Sequence, residues 1–277
     1  ANHGFLRKNM NNQKDKIKQA ASLHQAGDIL GAKFLYEEVI TAGAATAEVW
    51  HALGLIHAEV GEWQQAEAAL RQGLLLDEHD QTLQLHLANI LKQQQRFDEA
   101  KTILENLISL NPENAAAFNN VGTVYYALQN WPKARLAFET AIQLKADYID
   151  AYYHLALTTL RQQDLPAAEL TLRAILELDP NHPGALFQLG GLFLLREQYS
   201  FAIEPFEQLL KNHPHHLESH MNLAHAYLRL GRLSNAAMHY ASVLAIQPDD
   251  EQALFNLGVI NMQQGNLRAA ADYYRRI

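Results

Sequence analysis

Apolar and small residues recur along this chain in pairs of helical stretches, and the pairs repeat every 34 residues. Alanine marks the period most plainly: Ala32, Ala66, Ala100, Ala134, Ala168, Ala202, Ala236 and Ala270 are evenly spaced, with no insertion between them. Placing that alanine at position 20 starts the repeats at Gln13, Ala47, Gln81, Ala115, Ile149, Pro183, Leu217 and Glu251. The expected units are therefore residues 13–46, 47–80, 81–114, 115–148, 149–182, 183–216, 217–250 and a partial 251–277. Within a unit the pattern predicts two antiparallel helices, A and B. A residue turns about 100° along a helix, so positions 4, 7, 8 and 11 of helix A are expected on its buried side.

The other columns obey the same spacing. Position 8 is always Gly or Ala, from Ala20 and Gly54 to Gly258. Position 24 is large and apolar, as in Tyr36, Leu70, Phe138, Phe206 and Tyr274. Small residues at positions 8 and 20 let two helix backbones approach closely, and position 24 is expected to fill the space between neighbouring repeats. Gly27, Gly61, Gly231 and Gly265 at position 15 suit a left-handed turn between A and B. Pro132 and Pro166 fit the first turn of helix B. Pro112, Pro180, Pro214 and Pro248 follow its end. Pro205 breaks the pattern, because it falls inside a B helix, and a local bend is expected there.

Trp50, Leu53 and Gly54, and again Gly122, Tyr125, Ala134 and Phe138, match the order of residues in the tetratricopeptide (TPR) repeat. From Gln13 to Ile277 the chain resembles that family. The resemblance implies an all-α fold, an α-α superhelical solenoid of helix-turn-helix repeats in which each unit contacts only its neighbours. It also implies a binding role, with the side of helix A opposite the core lining a concave groove.

Composition narrows the alternatives. The chain is 48% hydrophobic and 19% charged, enough apolar content to bury a core. The net charge of -8 lacks the basic footprint of a nucleic-acid binder, and no nucleic-acid partner is expected. No apolar run approaches the roughly 18 residues of a membrane span, so no membrane partner is expected. There is no cysteine, which removes disulfides and Cys-ligated zinc and fits a cytoplasmic location. Residues 1–12 lack the apolar core of a signal peptide and read as a leader. Its first residues, Ala1 to Asn9, are read as vector-derived, with Met10 the natural start.

Candidate contact residues lie at positions 6, 9 and 13 of helix A. Position 6 holds Lys18 and Ala52, then His86, Asn120, His154, Gln188, Asn222 and Asn256. Asn and Gln offer a donor and an acceptor and can pair with a peptide backbone without reading its side chains. The column resembles the Asn ladder in the TPR superhelix of O-linked N-acetylglucosamine transferase; Asn120, Asn222 and Asn256 match that Asn, whereas His86, His154 and Gln188 depart from it. Asn89, Thr123 and His225 at position 9, and Arg161 and Arg229 at position 13, complete the expected peptide-binding set. Alternatively, Asn at position 6 merely solvates the helix.

Position 5 (Tyr153, Phe187, Met221, Phe255) and position 12 (Leu160, Leu194, Leu228, Met262) read first as packing between repeats and second as an apolar stretch of groove. The Lys–Asn–Arg clamp that some TPR proteins use for C-terminal carboxylates is not reproduced: Lys14 and Lys18 are followed by Glu48 and Ala52. His213, His215, His216 and His220 form the densest histidine cluster, but they straddle a loop between repeats, and neither a metal site nor a cofactor is expected. No catalytic constellation stands out.

Three readings remain at this stage. The first is a scaffold that holds an extended segment of a partner protein. The second is the substrate-recruiting arm of a larger enzyme, a glycosyltransferase or methyltransferase, whose catalytic domain lies beyond residue 277. The third is self-association through an uncapped C-terminal end, since the eighth unit stops inside helix B and solenoids need polar caps.

Overall fold

The computed structural model describes residues 2–277, with side chains from residue 12 onward, so Ala1 and the side chain of Met10 lie outside the described residues. Sixteen helices and no strand are found among the described residues. Residues 1–146 and 147–277 form two compact units. The first contains α1 (Asn2–Gln25), α2 (Ile29–Thr41), α3 (Ala47–Glu59), α4 (Trp63–Leu76), α5 (Gln81–Gln93), α6 (Phe97–Leu110), α7 (Ala115–Ala127) and α8 (Trp131–Leu144). The second contains α9 (Ile149–Arg161), α10 (Leu165–Leu178), α11 (Pro183–Leu195), α12 (Tyr199–Asn212), α13 (Leu217–Arg229), α14 (Leu233–Ile246), α15 (Glu251–Gln263) and α16 (Leu267–Tyr274). Odd-numbered helices are the A helices and even-numbered ones the B helices. Within each unit every helix packs on the one before it, so the fold is an all-α helical repeat solenoid. No described helix is long and apolar enough to cross a membrane.

The sequence supplies the helix ends. Thr46, Asp80, Asn114 and Asp250 each accept a hydrogen bond from a backbone N–H in the first turn of the following A helix. His182 and His216 do the same through Nδ1. Position 15 is left-handed throughout, at Gly27, Gly61, Gly231 and Gly265 and also at Gln95, Gln129, Gln163 and Glu197, whose φ angles lie between 57° and 60°. A residue with a Cβ loses about 1–2 kcal/mol in this region, and glycine does not. Replacing Gln129 or Gln163 by glycine is therefore expected to stabilise the protein by about 0.5–1 kcal/mol each, after the extra chain entropy of glycine is subtracted. An unchanged or lowered urea midpoint would refute this.

The buried arc of helix A is wider than positions 4, 7, 8 and 11. Val49, Leu83, Ala117, Ala151, Ala185, Ser219 and Ala253 at position 3 are buried, as are Ile56, Ile90, Val124, Thr158, Leu192, Ala226 and Ile260 at position 10. An interior A helix packs against its own B helix and against the B helix before it. Two contact stripes therefore merge into one broad arc.

Position 24 has a partner within its own hairpin. Its side chain lies over position 8 of its own repeat. A Cβ on Gly54, Gly122, Gly190 or Gly258 would stand 2.4–2.9 Å from an atom of Leu70, Phe138, Phe206 or Tyr274, respectively. Small residues at position 8 thus leave room for the large residue that locks the two helices of one hairpin. At Pro205 the helix does not break: α12 runs from Tyr199 to Asn212 with Pro205 buried. The proline removes one rung of the ladder, the one that would end on the Phe201 carbonyl, and the turns on either side hold.

Candidate ligand face of the A helices

The side of each A helix turned away from the core shows a consistent gradient. Position 13, from Glu59 to Gln263, is exposed, whereas His86, Asn120, His154, Gln188, Asn222 and Asn256 at position 6 are half-buried. At half-burial each of these side chains is partly packed and partly within reach of solvent.

In the first unit α5, which carries His86 and Asn89, and α7, which carries Asn120 and Thr123, touch directly. The His86 ring stacks on His51 with centroids 4.7 Å apart, and Nδ1 of His86 faces Nε2 of His51. Burial lowers the pKa of both rings, and for His86 the neighbouring His51 lowers it further, while Asp80 opposes the shift. The pair is held towards its neutral form. One ring nitrogen of His86 is thereby occupied within the protein. Thr123 is engaged twice: its hydroxyl donates to the Asn120 carbonyl at 2.7 Å and accepts from Lys92 Nζ at 2.6 Å. Burial pulls the Lys92 ammonium down to about 8. Lys92 and His51 were missed from sequence, although each is a polar residue in a mostly apolar column, position 12 or 5.

In the second unit His154 and Arg161 lie on α9, Gln188 on α11, Asn222, His225 and Arg229 on α13, and Asn256 on α15. Tyr199, at the start of α12, gathers two of them: the Arg229 guanidinium lies 4.8 Å above its ring, and His225 meets its edge at 6.0 Å. Burial lowers the His225 pKa, and the Arg229 charge adds to the shift. Asn256 donates one amide hydrogen to the Gln252 carbonyl of its own helix at 2.8 Å, which leaves its other hydrogen and its oxygen to a ligand. The second-unit face thus combines amides at position 6 with a cation held flat against an aromatic ring.

The apolar columns serve mainly as packing. Tyr153, Phe187 and Met221 at position 5, and Leu160, Leu194 and Leu228 at position 12, pack half-buried against the second-unit core. Tyr153 and Phe187 rest on the capping rings of His182 and His216, at 5.4 and 5.3 Å. Phe255 and Met262 in the eighth repeat are 55% and 52% exposed. The histidine cluster is divided among structural tasks. His216 caps α13, and His220 is buried with Nε2 3.0 Å from the Pro214 carbonyl and Nδ1 3.0 Å from Nδ1 of His239. No group of three or more potential metal ligands converges among the described residues.

Family models match along most of the chain. Residues 18–145 match the middle TPR-like domain of cilia and flagella-associated protein 70. The tetratricopeptide-repeat model matches residues 125–185, 153–216, 187–251 and 221–277. No curated protein sequence matches significantly. Among solved structures, the C-terminal part of a TPR repeat-containing protein from Cytophaga hutchinsonii superposes with a TM-score of 0.66 at 14% identity, covering 87% of this chain and 99% of that one. A tetratricopeptide repeat protein from Parabacteroides merdae gives 0.58 at 19% identity, covering 83% and 91%. YrrB, described as a TPR protein with an unusual peptide-binding site, gives 0.57 at 22% identity, covering 67% and 96%.

Proposed function

The chain belongs to the tetratricopeptide-repeat family, whose fold is typically a non-catalytic protein-interaction scaffold, and from that premise we propose that it binds an extended segment of a partner protein along the A-helix faces. The observation that carries this reading is made in each unit by itself: half-buried amide and imidazole groups at position 6, His86 and Asn120 in the first and His154, Gln188, Asn222 and Asn256 in the second. An extended peptide presents N–H and C=O groups in alternation, and a column of amides supplies both complements. Thr123 and Asn89 in the first unit, and Arg161, His225 and Arg229 in the second, flank that column and would contact the segment's side chains. A peptide-binding site in YrrB, a structural neighbour, fits the same reading.

Asn120→Ala, Asn222→Ala and Asn256→Ala combined are expected to weaken partner capture while leaving the fold intact. A hydrogen bond at such a half-buried site contributes about 0.5 kcal/mol, so three together cost roughly ten-fold in Kd. Partner proteins captured from cell extract by wild type and by the triple variant, quantified by mass spectrometry, provide the comparison. Equal recovery by two equally folded proteins would overturn the ladder.

A further inference from the structure

The second unit has another cavity, on a different side of its helices. A groove of about 510 Å³ opens between α10 and α12. Leu186, Leu189 and Phe193 of α11 form its floor, and none of its lining comes from positions 2, 6, 9 or 13. Its walls include Leu176 on one side and Phe201 and Pro205 on the other. Phe201 is 61% exposed although its ring lies 5.7 Å from Phe193.

Position 23 differs among the repeats that could carry such a groove. In the first unit the equivalent groove, about 400 Å³, has Ala137 at that position. In the seventh repeat the same position is His239, whose ring is buried and stacked on Tyr227 at 5.7 Å. The sixth repeat has Pro205, the interior proline of α12. An interior proline costs about 3 kcal/mol relative to alanine, and alanine would serve packing at least as well, as Ala137 does. Pro205 also has no N–H to offer the Phe201 carbonyl four residues before it in α12. The groove therefore combines an apolar floor with a wall in which one backbone carbonyl lacks its usual i+4 donor.

Its rim is acidic. Glu177 and Glu204 border the groove, and neither forms an ion pair among the described residues. Arg173, also at the rim, is committed to Glu169 at 2.9 Å.

We propose that this groove is a second binding site, which takes a tryptophan side chain of a partner protein with a lysine or arginine next to it in sequence. The indole fills an apolar slot of this size and brings an N–H, which needs a partner when buried. The adjacent cation meets Glu177 and Glu204.

The test is titration of N-acetyl-Trp-Lys-amide into the isotope-labelled full chain, followed by NMR. Saturable shifts are expected at α11 and α12 amides. N-acetyl-Trp-Glu-amide should bind about five-fold more weakly, as should the Lys peptide to a Glu177→Lys/Glu204→Lys chain, the effect of losing about 1 kcal/mol at an exposed charge. N-acetyl-Phe-Lys-amide should also bind more weakly than the Trp peptide, and Pro205→Ala, which restores the missing N–H, should abolish that difference. Absent shifts at the groove, equal binding of the Lys and Glu peptides, or a Trp preference that survives Pro205→Ala would each overturn the proposal. The position-6 triple variant should bind the Trp peptide normally, so failure of this site and failure of the A-helix face are read separately.

Discussion

Replacing Phe206 by alanine is expected to destabilise the protein by about 3–5 kcal/mol, the cost of deleting a fully buried aromatic ring. Phe206 is 0% exposed. Its ring covers Gly190 on the partner helix of its own hairpin and meets Phe187 edge-on at 6.0 Å. Position 8 opposite it is glycine, so no neighbouring Cβ can move into the vacated space, and the cavity stays open. Phe206→Leu should lose much less, about 1–2 kcal/mol, because leucine fills the same column at Leu70, Leu104 and Leu172. Urea unfolding followed by circular dichroism measures both. A loss below 1 kcal/mol for the alanine variant would show that the ring does not lock the hairpin.

Two adjacent glycines should respond to the same substitution with opposite signs. Gly190→Ala is expected to destabilise by about 2 kcal/mol and Gly191→Ala to stabilise by about 0.5–1 kcal/mol. Both lie inside α11, where alanine is the better helix former by up to about 1 kcal/mol. At Gly191 nothing lies within 4 Å of the added Cβ, so only the helix preference acts. At Gly190 the Cβ would stand 2.6 Å from Cζ of Phe206. That ring is fully buried and has no free space into which to swing, so overpacking outweighs the helix gain. Thermal and urea midpoints of the two single variants decide the matter; the same sign for both would contradict the packing described for position 8.

The same contrast shows where the candidate site was legible. Gly190 and Gly191 look alike as a dipeptide, and the 34-residue spacing separates them, because position 8 is small in every repeat while position 9 varies. Periodicity likewise located the polar column at position 6, since a residue type that recurs on one helix face is visible without coordinates. The partners of that column were not visible. Lys92 reaches Thr123 across 31 residues, and His51 reaches His86 across 35, contacts that exist only once neighbouring A helices lie side by side. The histidines near residue 216 are close in sequence, yet folding turned them to different tasks, as cap, as buried pair and as loop.

A strict repeat with small residues at positions 8 and 20 was enough by itself to determine an all-α array of helix hairpins. Local periodicity sets which face of each helix is apolar, and helix hairpins need only short-range connections to form. Tertiary packing alone decided the rest. It showed that position 24 closes its own hairpin, and that positions 3 and 10 are buried where an A helix lies between two B helices of its unit. It held Gln95, Gln129, Gln163 and Glu197 in left-handed turns that their side chains disfavour, since the helices on both sides fix the chain path. It also left a groove beside Ala137 and another beside Pro205, and buried His239 at the same position against Tyr227. Whether a side chain fills or leaves a gap depends on neighbours far away in the chain, which no single stretch of sequence contains.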